Sequence, residues 1–346
     1  MKKGFLFLVL LLIAVIPVSA AEFTAPAAPD SALEYMPKET ESFSVGLWYV
    51  LRSAINKLHP SVTKACGICL SVIAINLLTS VVSHFTGTAQ KTINLVGTLC
   101  CGVILFNTAG TLIQLGAQTV NELNEYGKLL LPVMSSALAA QGGVTSSTVL
   151  YAGTAAFMAV LTSAISNLLI PMVYIYLCLS VANGALGERT LKNLQDSSKW
   201  LMTWTLKIIL YIFTGYMAIS GVISGTTDAA ALRATKLTIS GVVPVVGGIL
   251  SDASETVLVG AGLMKNSVGI YGLLTVIALW IEPFLQIGVQ YLLLKLTGGV
   301  CSAFGPKETS GLVQAFTGAM GFVLAMIGSI CVMILVSTVC FMRGVG

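Results

Sequence analysis

The sequence predicts an all-α polytopic membrane protein, and three observations carry that reading. Of its 346 residues, 56% are hydrophobic and only 9% charged, with a mean hydropathy of +0.91, whereas soluble domains carry roughly 25% charged residues. Apolar stretches of about 20 residues, long enough to cross a bilayer, recur along the chain. Between them stands a stretch, Ser240–Leu263, that combines Pro, paired Gly and acids, which an unbroken spanning helix does not contain. The expected architecture is about seven to eight transmembrane helices with two re-entrant or broken hairpins in an internal repeat.

Residues 1–21 have the form of a signal peptide: Lys2 and Lys3, an apolar run from Phe5 to Ile16, then Pro17 and the small residues Ser19, Ala20 and Ala21. Cleavage there places the mature amino terminus outside the cytoplasm; the alternative is an uncleaved anchor helix. Residues 22–64 read as an extracytoplasmic linker with Pro26, Pro29 and Pro37. In its second half Val45, Trp48, Tyr49, Leu51, Ile55 and Leu58 recur near a helical period, which fits an amphipathic helix on the membrane surface or a short helix packed on the rest.

The transmembrane domain follows over 65–346, with spans expected at 65–85, 93–117, 148–167, 168–186, 200–223, 268–297 and 311–341. The sixth is interrupted by Glu282 and Pro283 and is either one kinked helix or two. Leu129–Ala140 and Leu237–Leu250 are too short to span comfortably, and re-entrant hairpins suit them better. Arg343, in a tail without acids, places the carboxyl terminus in the cytoplasm.

The repeat rests on local likenesses in the same order. Leu131-Pro132-Val133-Met134 resembles Val243-Pro244-Val245-Val246, Ser147-Thr148-Val149-Leu150 resembles Glu255-Thr256-Val257-Leu258, and Ile170-Pro171-Met172-Val173 resembles Glu282-Pro283-Phe284-Leu285. The units are about 93–198 and 199–307, with a final span at 311–341.

The second broken stretch, Ser240–Leu263, stands out. It holds Pro244, the pair Gly247 and Gly248, and the acids Asp252 and Glu255. Pro132 leads the first copy, which has no acids, so a specialised contact with a partner or solute is expected at the second copy. Asp252 and Glu255 also suit a helix start, capping free amides and facing the positive end of the dipole. Glu282, beside Pro283, is an acid in an apolar run; it either lines a polar cavity or is neutralised by freed backbone amides, Lys295 or Lys207. Gly102, Gly110, Gly116, Gly318, Gly321 and Gly328 suggest close helix packing.

Cys66 and Cys69 form a C-x-x-C, but no thioredoxin-like pattern surrounds it and there is no second such pair, so buried small residues are the simpler reading. His59 and His84 are too few for a metal site, and a net charge of +4 offers no nucleic-acid face. No phosphate-binding loop or nucleophile triad occurs. The sequence therefore points to no catalytic residues, no metal, no cofactor and no energy source of its own.

The segment GVISGTTDAAALRATKLTISGVVPVVGGILSDASETVLVGAGLMKNSVGIYG, from Gly221 to Gly272, resembles the hallmark region of the stage III sporulation protein AE family. The resemblance implies a non-enzymatic integral membrane subunit of a channel or secretion-like complex. It would sit in the mother-cell membrane facing the forespore, with other membrane and extracytoplasmic subunits and a separate cytoplasmic ATPase as partners. The alternative from the residues is an autonomous secondary transporter, motivated by the repeat, the hairpins and Glu282. Replacing Gly247 and Gly248 with Leu is expected to lower spore yield more than replacing Cys66 and Cys69 with Ala, because Leu cannot fill a tight turn. Equal yields from the two double variants would remove the inferred break.

Overall fold

The structure, a computed structural model, describes residues 25–37, 42–85, 89–140, 144–219 and 267–343. Residues 1–21 and Pro244, Gly247, Gly248, Asp252 and Glu255 lie outside the described residues. Every described element is helical. A single turn, α1 (Asp30–Leu33), is followed by α2 (Phe43–Lys57), α3 (His59–Phe85) and α4 (Gln90–Ala140). Next come α5 (Val144–Ala164), a π-helical turn (Ile165–Leu169), α6 (Ile170–Leu186) and α7 (Arg189–Ile219), and then α8 (Ser267–Phe304) and α9 (Lys307–Arg343).

The rods are longer than the sequence suggests. Among the described residues, five are long and apolar enough to cross a membrane: His59–Phe85, Gln90–Leu138, Ser147–Leu186, Val268–Phe304 and Lys307–Met342. The 51 residues of α4 extend about 76 Å at about 1.5 Å per residue, more than twice a hydrocarbon core of about 30 Å. Leu129–Ala140 is consequently not a separate element but the last turns of α4, with Pro132 inside the helix. The stretches 148–167 and 168–186 belong to one rod, joined by the π-helical turn just before Pro171. At Pro283 the choice between one helix and two resolves to one, α8. The unit boundary at 198/199 falls inside α7.

The physical reason is shared. A polar interruption lowers the local hydropathy, but it does not interrupt the i to i−4 ladder, and a single Pro removes one ladder bond that neighbouring helices compensate. What does end a helix here is chain reversal. Gly187 closes α6 in the left-handed region (φ 68°), its amide donating to the Asn183 carbonyl at 2.8 Å.

Side-chain contacts fix the topology. α4 runs antiparallel to the α5–α6 rod: Ser135 donates to the Ser147 carbonyl at 3.3 Å, and farther along Phe106 meets Tyr174 with ring centroids 6.4 Å apart. α7 returns beside that rod, with Gln195 donating to Ser180 at 2.9 Å and Phe213 edge-on to Phe157. The centre is α9, apolar on every side and buried among α4, α5, α6, α7 and α8. Four of the six glycines expected to mark close packing do so: Gly102 faces Val181, Gly116 faces Val323, Gly318 faces Tyr176 and Gly321 faces Tyr291. Gly110 and Gly328 meet no atom within 4 Å of a Cβ position.

Gly116→Leu is expected to destabilise the bundle by about 1–3 kcal/mol through overpacking against Val323. Gly67→Leu, at an exposed position with nothing within 4 Å, should change stability by no more than about 0.5 kcal/mol. Thermal unfolding of the purified protein in detergent compares the two.

Candidate functional site: a polar cleft between three long helices

Two stripes of polar residues interrupt the apolar helices and face the same cleft. On α4, Asn107, Gln114 and Gln118 follow one another at helical spacing, and Glu122 continues the series. On α8, Glu282, Gln286 and Gln290 repeat every four residues. The start of α3, at Lys64, forms the third wall. Lys64 and the amides Asn107, Gln114, Gln118, Gln286 and Gln290 line a cleft of about 370 Å³, and Glu122 and Glu282 end the two stripes just outside its lining. Its α4 wall is exposed at Asn107, Gln114 and Gln118. Amides without partners are costly in hydrocarbon, so this face suits water or protein better than lipid.

Gln290 is 3% exposed, and its Nε2 has no acceptor among the described residues. A buried donor left in that state costs about 1–3 kcal/mol.

Glu282 is partnered by residues that the sequence did not suggest. Gln286 Nε2 donates to Glu282 Oε1 at 2.9 Å, and the Tyr35 hydroxyl also donates to this carboxylate. Neither Lys207 nor Lys295 forms an ion pair with it among the described residues; the Lys295 ammonium lies 5.9 Å from the centre of the Tyr291 ring.

Tyr35 belongs to the amino-terminal segment, residues 25–37, which forms a strap across the head of the cleft. Ala32, Tyr35 and Met36 are buried, Ser31 Oγ donates to Glu122 Oε2 at 3.0 Å, and Thr275 Oγ1 lies 3.9 Å from Met36 Sδ. The strap therefore touches the carboxylate at the end of each polar stripe. Lys57, at the end of α2, pairs with Glu34 and sits 4.5 Å from the centre of the Tyr35 ring. α2 packs against α8 with Phe43, Gly46, Val50 and Ala54 buried, while Val45, Trp48, Tyr49 and Ile55 stay exposed. The helix thus has a buried face on α8 and an exposed apolar face, which is compatible with both readings of this stretch.

The remaining expected site residues are dispersed. Pro132 lies exposed within α4 and Pro283 buried within α8, one residue from Glu282. The C-x-x-C residues Cys66 and Cys69 are free thiols. Cys69 instead lies near Cys301 of α8, which in turn neighbours Cys101 of α4. The amides Asn107, Gln114, Gln118, Gln286 and Gln290 were missed by the sequence reading. Their signal was the three- and four-residue spacing, which averaging over an apolar window erases.

Burial, followed by the hydrogen bond and charge of Glu282, pushes the Tyr35 phenol above its ordinary value of 10.0. A raised value means that the docked state favours the neutral phenol, so this stabilisation is complete below about pH 10 and is lost as pH climbs through the folded-state value. Hydrogen exchange of residues 25–37 should show protection at pH 8 that fades above about pH 10. In Tyr35→Phe that alkaline transition should vanish.

Comparison with known proteins places the chain. The profile of the stage III sporulation protein AE family matches residues 31–344. The stage III sporulation protein AE of Bacillus subtilis (strain 168) is 21% identical over 235 residues, covering 68% of this chain and 59% of that protein. The match thus spans less than two thirds of the relative's length. No solved structure matches. With nearly the whole described chain inside the matched region, the protein belongs to the stage III sporulation protein AE family.

Proposed function

We propose that this chain is a non-enzymatic, multi-pass membrane subunit of a channel or secretion-like complex of endospore formation. In this reading it sits in the mother-cell membrane facing the forespore, its mature amino terminus outside the cytoplasm. The carrying observation is the amide stripe on α4, exposed on a helix otherwise apolar enough to cross a bilayer. Such a face is best explained as the wall of a water-filled path or as a contact with another subunit. Extracytoplasmic and membrane subunits complete that path, and a separate cytoplasmic ATPase supplies the energy.

Affinity capture from sporulating cells should recover other membrane and extracytoplasmic subunits. The Gln114→Leu/Gln118→Leu variant should reach the membrane at the wild-type level yet lower spore yield at least tenfold. Recovery of the chain by itself, or full yield from the variant, would overturn the reading.

A second reading, an autonomous secondary transporter, is favoured by one observation: Glu282 stands at Pro283 beside the cleft. Solute uptake driven by an ion gradient in liposomes containing this chain alone would establish it.

A further inference from the structure

We propose that the cleft between α3, α4 and α8 is a binding site for a small carboxylate anion, of amino-acid size or less. This deepens the reading of the cleft as a water-filled wall.

The charge of the lining comes first. Among the described residues that line the cleft, Lys64 carries the single formal charge. The two carboxylates at its head are engaged elsewhere, Glu122 by Ser31 and Glu282 by Tyr35 and Gln286. Both carboxylates keep their charge, but neither is on the lining, so a cation inside the cleft would meet an ammonium and no carboxylate. A neutral solute would leave Lys64 unused.

The donors come second. The hydroxyls of Thr108 and Thr111 already donate to the carbonyls of Ile104 and Asn107, at 3.2 and 3.3 Å. The donors left for a ligand are the Lys64 ammonium, the Ser61 hydroxyl and the amides of two facing helices, chiefly Gln114, Gln118 and Gln290. Gln290 is the decisive one, because its buried Nε2 has no acceptor among the described residues. A carboxylate supplies two acceptor oxygens to such amides and a charge to the ammonium, and hydrogen bonds with an ionised partner are the stronger kind.

Size comes third. A volume of about 370 Å³ holds on the order of a dozen waters at about 30 Å³ each, or one amino-acid-sized solute with part of its hydration.

The test uses the purified full-length chain in detergent, followed by thermal unfolding at constant ionic strength. Acetate should raise Tm saturably, acetamide should act at least tenfold more weakly, and methylammonium and chloride should give no saturable shift. Lys64 is exposed, so Lys64→Gln should fold normally while weakening the acetate effect at least tenfold. Gln290→Leu should abolish it without lowering Tm in the absence of acetate. The proposal is overturned if chloride or methylammonium matches acetate, if acetate acts equally on both variants, or if no saturable shift occurs. Because binding is measured on the isolated chain, a negative result leaves the capture of partner subunits, and hence the channel reading, unaffected.

Discussion

The constraint on which this structure depends is the near-complete burial of α9 beyond its first two turns. Side chains along this helix, from Phe316 through Ala319, Ile327 and Met333 to Phe341, have almost no exposed surface. In lipid an apolar helix gains little from hiding apolar surface, so close contact must hold it in place. The glycines supply that contact: Gly116 on α4 lets Val323 approach, and Gly318 and Gly321 on α9 admit Tyr176 and Tyr291. The α4, α5–α6 and α8 rods then take their positions from flanks of α9, while α3 packs on α4 and α8. Parallel α4 and antiparallel α8 cover two of those flanks, and together with α3 they line the cleft.

The helical class, the membrane character and the family were legible in composition and in the Gly221–Gly272 segment. The glycine packing was legible at four positions of six. The rod lengths were not. Pro132, Pro171 and Pro283 each suggested a boundary, and in each case the helix continues, because lateral packing outweighs the loss of one ladder bond. The long-range contacts were also hidden. Nothing local in Ser31 or Tyr35 announces Glu122 or Glu282, and the convergence of Cys69, Cys101 and Cys301 depends on three helices meeting.

Glu282 shows how a site reading shifts when neighbours are known. As an isolated acid in an apolar run it suggested ion coupling or simple neutralisation by a lysine. With Tyr35 and Gln286 on its oxygens it is one end of a polar stripe, and the stripe rather than the acid defines the cleft. Both polar stripes end in a carboxylate that receives a hydroxyl from the strap.

That strap has a consequence for biogenesis. Synthesis runs from the amino terminus, so Ser31 and Tyr35 emerge before either of their carboxylate partners, with Glu122 following Ser31 by 91 residues and Glu282 later still. The segment has to wait, undocked, until α8 has been made and has found its place beside α4. Closure of the strap is therefore a late event in maturation, and its attachment distinguishes a finished molecule from one still under construction.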